Sequence, residues 1–385
     1  MSRVYLAAVG DVHDPITWSG IPYHFLQTAK TEGLIDQGLA LRADGPEWKQ
    51  RRVLWNAWRV LTGRGKGGYQ YSVPFLEQLW ANDKKTLEGQ LIINCFQLYP
   101  PSMVNDPKYR KCYYIDMTLK QLFSDYQIDA TIGKSIAADA LAREKSGYQA
   151  AEMVVCHSQW AANSVVNDYG IAASKVKAIV PGANLDRTAL VNWQSQTTMR
   201  LRQPEEPLKL LFVGKYWDRK GLDRLLEALL VVNRETDRVK LQVMGCERTS
   251  LPAHLQNVPN VEWLGFINKK TEMQRFLDTV ASADVGCLLS RAEAGGMVLR
   301  EYHALGLIVL GTAVGGSPEH MFADAGKAFA ADASAEQIAG WLIQLASDHG
   351  YYSQLRRSAW ERRKQATWLE TVRQWRTILP EQYIG

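Results

Sequence analysis

The 385-residue sequence has few cysteines, no long apolar run and little net charge, and each shortage excludes a class of protein. Its five cysteines are scattered and odd in number, so neither a disulfide framework nor a zinc site is expected. No stretch approaches the ~18 apolar residues of a transmembrane helix. A net charge of +5 does not indicate nucleic acid as a partner, although it suits anionic ligands or a membrane surface. We therefore expect a protein of the reducing cytoplasm.

Short apolar runs alternate with longer amphipathic ones, which is the pattern of an α/β protein with parallel sheets. The predicted strands of the first half are 4–9, 91–96, 111–115, 153–156 and 176–180. Those of the second half are 208–214, 239–245, 261–266, 283–289 and 307–311, with helices at 221–233, 271–283 and 296–305. The pattern predicts two doubly wound domains facing across a cleft, with ligands at the carboxyl ends of the strands.

A polar, proline-bounded stretch between about residues 183 and 207 separates the two halves. Its composition is typical of a linker. The predicted domains are therefore 1–190 and 208–365. Residues 366–385 are predicted to form a C-terminal helix that could pack back on the first domain.

Two glutamates, Glu293 and Glu301, stand eight positions apart (301 − 293 = 8) where a predicted strand passes into a helix. Gly295 and Gly296 follow the first of them. A glycine pair at a helix N-terminus exposes backbone N–H groups that attract anions, above all phosphate. Carboxylates would repel phosphate, but they accept hydrogen bonds from sugar hydroxyls. Phosphate and sugar bound side by side describe a sugar nucleotide.

A basic turn follows the first strand of the second half, where Lys215, Arg219 and Lys220 precede Gly221. Cations in a loop that is backed by a helix N-terminus can neutralise a diphosphate. A solvated turn is the alternative for such a run in isolation. Because the acidic pair lies in the same half and also follows a strand, we favour diphosphate binding.

Together these segments resemble the group 1 glycosyltransferases, family 4 of the sequence-based classification, which have the GT-B fold. Residues 293–301 are similar to the Glu-x7-Glu element of the family, and residues 214–221 to its Gly-Arg…Lys-Gly element. Residues 261–267 are similar to the strand and loop that pack against the nucleotide base. Further similarity lies at 156–158, 169–170, 180–184 and 304–319. The resemblance covers roughly residues 150–325 and is thin before them.

The resemblance implies a role for each matching residue. Glu301 would hold the ribose of the donor, and Glu293 would hold hydroxyls of the donor sugar. Lys215 and Lys220 would bind the diphosphate, although the family more often has arginine at the first of these positions, which would add a bidentate fork. With Glu293, the two lysines are the implied catalytic residues. The other implied donor-binding residues are Gly20, Gly214, Phe266, Ile267, Gly295, Gly296, Met297 and Val298.

In the first half, Gly20 occupies the place of the family's glycine-rich loop, and an ordinary turn fits it equally well. Many relatives carry a histidine that meets the donor sugar, whereas the matching strand end here offers Asp116, which accepts but does not donate when ionised. His13 and Asp14 could face the sugar or the acceptor, or simply cap a loop. A metal site there would need more ligands than these, and none is expected.

A stretch rich in tryptophan and arginine, residues 46–61, is predicted to be helical with Leu54, Trp55, Trp58 and Leu61 on one face. Tryptophan with arginine suits a membrane interface or a lipid-linked acceptor. A helix that packs this face on its own domain is the simpler expectation. A peripheral membrane contact is the alternative.

The resemblance implies a retaining, metal-independent hexosyltransferase that moves a sugar from a UDP- or GDP-sugar to a hydroxyl of a saccharide or lipid-linked acceptor. Glycan, polysaccharide or glycolipid synthesis is the expected context, with no cofactor, since the nucleotide sugar is a substrate. One alternative is a non-catalytic scaffold that binds sugar nucleotides. Another is a glycoside hydrolase with Glu293 and Glu301 as acid and nucleophile. A dinucleotide-dependent oxidoreductase is not expected, because no Gly-x-Gly-x-x-Gly follows either domain's first strand.

Overall fold

The computed structural model describes residues 3–63, 66–126 and 128–383, without the side chains of residues 129 and 130. The chain forms two compact units. The first is Met1–Val180 with Thr371–Gly385, and the second is Pro181–Glu370. The division thus falls after Val180, whereas the sequence analysis places it at residue 190.

The first unit contains a six-stranded parallel sheet in the order β2-β1-β3-β4-β5-β6. Its strands are β1 (Val4–Val9), β2 (Gln37–Leu41), β3 (Leu91–Asn94), β4 (Arg110–Ile115), β5 (Met153–Cys156) and β6 (Val176–Ala178). Its helices are α1 (Ile21–Thr31), α2 (Pro46–Leu61), α3 (Val73–Trp80), α4 (Lys84–Leu87), α5 (Pro101–Val104), α6 (Leu119–Asp125), α7 (Asp129–Ile132), α8 (Lys134–Ala150) and α9 (Gln159–Asn167). The central strands are buried along almost their whole length, as expected for a parallel sheet that helices cover on both faces.

A buried carboxylate links α6 to α8 in this unit. Glu144 accepts hydrogen bonds from the Leu119 backbone N–H, at 2.9 and 3.1 Å, and from the hydroxyls of Tyr148 and Tyr169. Burial raises the pKa of Glu144 to about 8, although these hydrogen bonds act in the opposite direction. The carboxylate thereby satisfies a backbone N–H at the start of α6 that the helix itself leaves without a partner.

The second unit contains another six-stranded parallel sheet, in the order β12-β11-β10-β7-β8-β9. Its strands are β7 (Leu208–Val213), β8 (Val239–Met244), β9 (Val261–Gly265), β10 (Val285–Leu288), β11 (Ile308–Thr312) and β12 (Gly326–Phe329). Its helices are α10 (Arg187–Gln196), α11 (Trp217–Lys220), α12 (Leu222–Glu235), α13 (Met273–Ala281), α14 (Met297–Ala304), α15 (Ala335–Ser347) and α16 (His349–Arg362). The last helix, α17 (Trp368–Ile378), begins in this unit and continues into the first, where Trp375 packs against Phe25.

Each predicted strand and helix is present, and the bounds differ from the prediction by at most two residues except at the C-terminus. The helix predicted over residues 366–385 is present as α17 but ends at Ile378. The sequence analysis did not predict β2 and β12, which are the edge strands of the two sheets. Edge strands are covered less completely than central ones, and both of these are largely half-buried or exposed. Because each also contains a glycine, neither gives the continuous apolar run that marks a buried strand.

The predicted linker is wrong over much of its length. Residues 187–196 form α10 instead, with the Asp186 side chain accepting from the Ala189 N–H at its N-terminus. Leu190 and Trp193 lie three positions apart and are both buried. The helix therefore belongs to the core of the second unit, although most of its other side chains are polar.

The helix predicted over residues 46–61 is present as α2, but most of its apolar face does not pack on the first unit. Trp55 is half-buried against the core, as expected. Leu54, Trp58 and Leu61 are instead 69%, 46% and 86% exposed. The expectation that this face is covered by its own domain is thus wrong for three of the four residues that define it. Within the described part of the chain, no helix has the length and apolar character to cross a membrane.

Candidate functional site

The second sheet changes direction between β7 and β10, which are neighbours in the sheet although β8 and β9 separate them in the sequence. In an open α/β sheet the crevice at such a position, beyond the carboxyl ends of the strands, is where ligands bind. The predicted basic turn follows β7, and the first glutamate of the acidic pair follows β10. The topology therefore brings two segments that are distant in sequence to one edge of the sheet.

Glu293 is surrounded by donors at this edge. Lys220 forms an ion pair with its Oε2 atom, and Arg219 Nη1 lies 3.4 Å from the same atom. The Ser290 hydroxyl donates to it at 3.3 Å. Only 10% of the Glu293 side chain is exposed. The predicted proximity of Lys220 and Glu293 is thus present, whereas Arg219 and Ser290 are contacts that the implied roles did not include.

The second glycine of the pair has a backbone conformation that favours glycine. Gly296 has φ 76°, a value that residues with a side chain rarely adopt, and it precedes α14 without any side-chain cap. The first N–H groups of a helix have no partner within the helix, so those near Met297 and Val298 are available to an anion. Both of these side chains are half-buried.

Gly295 lies against a buried imidazole. A Cβ atom at this position would stand 2.4 Å from the Cε1 and Nε2 atoms of His320, whose side chain is 1% exposed. The close approach explains why a glycine is needed at a position where its φ angle alone would permit other residues. The buried His320 ring therefore leaves no room for a side chain at position 295. No sequence motif indicates this contact.

We expect Gly295→Ala to destabilise the second unit by about 1–3 kcal/mol, because the buried imidazole must move to admit the methyl group. Gly340→Ala is the matched control, since Gly340 lies within α15 and an added Cβ there meets nothing within 4 Å. That change should stabilise the protein by about 1 kcal/mol. Thermal denaturation of the two variants measures both effects, and a Gly295→Ala variant as stable as the parent would contradict the assigned contact.

Glu301 lies within α14 and is almost fully buried, with 4% of its side chain exposed. The Lys269 ammonium lies 2.5 Å from its Oε1 atom. Burial raises the pKa of the Glu301 carboxyl, while Lys269 and, more weakly, Lys220 act in the opposite direction. Lys220 thus influences both glutamates. Lys269 was not predicted from the sequence, because it comes from the loop after β9 and meets Glu301 only in the folded chain.

The remaining predicted residues of the second unit are divided between surface and core. Lys215 is exposed, with its Nζ atom 4.8 Å from the ring centroid of Phe266, which is 60% exposed. Ile267 is buried, and Gly214 directly follows β7. The exposed phenylalanine beside the exposed lysine gives this edge of the sheet an aromatic face with a positive charge next to it.

The predicted residues of the first unit lie at the carboxyl ends of its strands. Gly20 precedes α1 in a left-handed conformation. His13 is exposed, and the Asp14 side chain accepts from the Ile16 N–H at 3.1 Å, as a loop-capping residue does. Asp116 directly follows β4 and is half-buried. Among the described residues, no group of three or more His, Cys, Asp or Glu side chains is placed to hold a metal ion.

Comparison with known proteins connects this site to a family. Residues 196–362, which make up most of the second unit, match the family model described as glycosyl transferases group 1. The second unit therefore contains a domain of the group 1 glycosyltransferases. It is 28% identical over 180 residues to a D-inositol 3-phosphate glycosyltransferase of Streptomyces scabiei, and 30% identical over 180 residues to that of Geodermatophilus obscurus. These alignments cover 44% and 43% of this chain, and only 40% and 39% of the two relatives.

Solved structures resemble this chain over nearly its whole length. WaaG, a glycosyltransferase involved in lipopolysaccharide biosynthesis, superposes with a TM-score of 0.61 at 16% identity, covering 97% of this chain and 99% of WaaG. Sucrose-phosphate synthase from Thermosynechococcus elongatus gives 0.64 at 17% identity, with 98% of each chain covered. Anabaena HepE in complex with UDP and glucose gives 0.61 at 16% identity, with 97% and 98% covered. The predicted GT-B fold, with two Rossmann-like units, is thereby confirmed.

Proposed function

We propose that this group 1 glycosyltransferase is a retaining, metal-independent hexosyltransferase that moves a sugar from a nucleoside diphosphate to an acceptor hydroxyl. The observation that carries the proposal is the contact of Lys220 with Glu293 beside the uncapped N-terminus of α14. A cation, oriented N–H groups and a carboxylate in one place suit a diphosphate joined to a sugar. Glycan, polysaccharide or glycolipid synthesis is the context that we infer.

The diphosphate would lie against the N-terminus of α14. N–H groups near Met297 and Val298 point to where an anion would sit, and Lys220 supplies a compact positive charge next to them. The exposed ammonium of Lys215 could reach a second phosphate oxygen. These groups are already in place in the folded chain, so the charge that grows on a departing diphosphate would be met without reorganisation.

The two glutamates would hold the hydroxyl groups on either side of the diphosphate. Glu293 would accept from the donor sugar, and Glu301 would accept from the ribose. Lys269 helps keep Glu301 ionised, which is the form that only accepts hydrogen bonds. The exposed ring of Phe266 offers an aromatic surface for the base.

The chemistry that we propose needs no covalent nucleophile from the protein. Glu293 is held by Lys220 and by Arg219, and this pairing suits a residue that orients hydroxyl groups better than one that attacks carbon. A departing phosphate oxygen could take the proton of the acceptor hydroxyl on the face from which it leaves. That sequence of events retains the anomeric configuration and requires no metal ion.

A screen of UDP- and GDP-sugars by thermal shift tests the donor, because a ligand that binds only the native state must raise the melting temperature. Donors that stabilise the protein are then incubated with it and with saccharide acceptors, and products are followed by mass spectrometry. The proposal predicts a stabilising donor and a product heavier by one sugar. Binding without turnover would indicate the scaffold, and cleavage of simple glycosides without nucleotide would indicate the hydrolase.

We also propose that α2 makes a peripheral contact with an anionic membrane on the cytoplasmic side. Its exposed apolar residues are flanked by the exposed basic residues Lys49, Arg51 and Arg52, and Glu47 is its only acid. A helix with apolar residues and tryptophan on one face and cations beside them is typical of an interfacial helix. The free, buried state of all five cysteines suits a reducing compartment.

Sedimentation with lipid vesicles tests the membrane contact. We expect the double variant Leu54→Glu, Trp58→Glu to lower the fraction bound to phosphatidylglycerol vesicles about tenfold or more, because both apolar anchors become charged. Val191→Glu is the matched control, since Val191 is 55% exposed on α10, outside the proposed contact surface. Equal binding by the double variant and the control would contradict the proposal.

A further inference from the structure

Two loops at the carboxyl edge of the second sheet carry the charged residues of the proposed donor site. The basic turn, residues 214–221, follows β7 and contains Lys220. The acidic loop, residues 289–296, follows β10 and contains Glu293. Lys220 and Glu293 are 73 positions apart in the sequence. Their contact therefore depends on what fixes one loop to the other.

The backbones of the two loops lie in direct contact. The Arg291 N–H donates to the Arg219 carbonyl at 2.8 Å, and Arg219 Nη1 donates in return to the Ala292 carbonyl at 3.2 Å. At Gly221, which has φ 70°, an added Cβ atom would stand 2.0 Å from the Leu289 carbonyl oxygen. The basic turn thus packs on the start of the acidic loop too closely to admit a side chain at position 221.

The Arg291 guanidinium holds the basic turn on both sides of Lys220. Its Nη1 atom donates to the Asp218 carbonyl, which lies before Lys220 in the chain. Its Nη1 and Nη2 atoms also donate to the two carboxylate oxygens of Asp223, after Lys220, at 2.9 and 2.6 Å. A planar guanidinium in a bidentate pair fixes orientation as well as distance. Because Arg291 belongs to the same loop as Glu293, these bonds fix Lys220 relative to that carboxylate.

The acidic partner of this ion pair is well placed and shielded. Asp223 lies in the first turn of α12, where the helix dipole favours a negative charge. Only 14% of the Asp223 side chain is exposed, whereas 47% of the Arg291 side chain is exposed. Arg224 lies near enough to Asp223 for their charges to interact. Asp223 therefore keeps a cation beside it when Arg291 is replaced, and such a variant should fold.

We propose that Arg291, through its ion pair with Asp223, is a positioning residue for sugar transfer that holds Lys220 against Glu293. The inference rests on the proposed glycosyltransferase function and deepens it, because it assigns the placement of the catalytic charge to residues that need not touch the phosphate or the sugar. A shift of about 1 Å in a catalytic group can cost about 10²-fold in rate. Loss of the ion pair should therefore slow the transfer step.

Rates of sugar transfer at varied donor concentration test the inference, with the donor and acceptor found in the screens above. Arg291→Gln should lower kcat about tenfold or more and change KM little. Asp223→Ala removes the same ion pair from the other side and should lower kcat about threefold or more. Arg200→Gln is the matched control, because Arg200 pairs with Glu206 on the surface of the same unit at 2.5 Å. The control should keep the parental kcat.

Combination with Lys220→Ala separates positioning from general damage. Because Arg291 acts through Lys220, the variant with both Arg291→Gln and Lys220→Ala should be as slow as Lys220→Ala alone, within about twofold. Losses from two independent defects would instead multiply. Melting temperatures are measured for every variant. If Arg291→Gln melts far below the parent, Asp223→Ala is compared in the same two ways and decides the matter.

A parental kcat in Arg291→Gln or in Asp223→Ala would overturn the inference. An effect confined to KM would overturn it too, and so would losses that multiply in the variant that also lacks Lys220. Each of these results leaves the proposed function standing, because the parent still transfers sugar. If the parent transfers sugar from no nucleotide donor, the proposed function fails and the inference fails with it.

Discussion

Replacing Lys220 with alanine is expected to lower the rate of sugar transfer by about 10²-fold or more at saturating donor. Lys220 is in direct contact with Glu293, and its charge also reaches Glu301. Its side chain is 17% exposed, so water screens its charge little. A charge that stabilises the departing diphosphate acts mainly in the transition state. Its removal should therefore lower kcat and change KM little.

Lys240→Ala is the matched control for this prediction, because Lys240 is an exposed lysine on β8 of the same unit. Its turnover should equal that of the parent. Arg219 Nη1 lies 3.4 Å from Glu293 and remains as a partner when Lys220 is removed, so the variant should fold. A Lys220→Ala enzyme with the turnover of Lys240→Ala would contradict the role of Lys220, provided that both melt at similar temperatures.

Glu301→Ala is expected to abolish the donor-induced rise in melting temperature while leaving the unliganded protein folded. Loss of a hydrogen bond to a charged group costs about 1.5–3 kcal/mol, which corresponds to a roughly ten- to hundredfold weaker donor. The unliganded fold should not suffer, because burial raises the pKa of this carboxyl. Folding therefore favours the protonated form of Glu301. The wild-type chain loses stability as the pH rises from the pKa that Glu301 has in the unfolded chain to its raised pKa in the folded chain. Above that window, the substitution removes an unfavourable buried charge.

Glu227→Ala provides the comparison, since Glu227 is an exposed acid on α12 of the same unit. It should keep the full thermal shift. The pH dependence of donor binding is a second test of Glu301. The donor affinity of the parent should fall as the pH is lowered through the raised pKa of Glu301, because a protonated carboxyl is a weaker hydrogen-bond acceptor. Glu301→Ala should lack that dependence. An unchanged thermal shift in Glu301→Ala would refute its assignment to the ribose.

The elements of the fold that are buried on both faces could be predicted from the sequence, because their apolar runs are continuous. The contact of Lys220 with Glu293 was also predictable, since both follow strands at the carboxyl edge of one parallel sheet. The edge strand β2 was not, because it is partly exposed and has no such run. Residues 187–196 resembled a linker because only two apolar side chains, Leu190 and Trp193, anchor the helix.

The sequence pattern could not predict contacts between segments that are distant in the sequence. Lys269 meets Glu301 from 32 positions away, and His320 lies behind Gly295 without any motif that joins them. The prediction that α2 packs its apolar face on the first unit failed for a different reason. Helical periodicity identifies an apolar face but not what covers it. The left-handed backbone of Trp18 was not predictable either, because residues with a side chain rarely adopt it.

The central claim is that the second unit binds a nucleotide sugar at the carboxyl ends of β7 and β10. A crystal structure of the chain with the most stabilising donor of the thermal-shift screen tests it most directly. We predict the diphosphate against the N–H groups that begin α14, within reach of Lys220, with the ribose on Glu301 and the sugar on Glu293. Nucleotide density at any other place, with Glu301 still paired with Lys269 and Glu293 still paired with Lys220 and Arg219, would contradict the account.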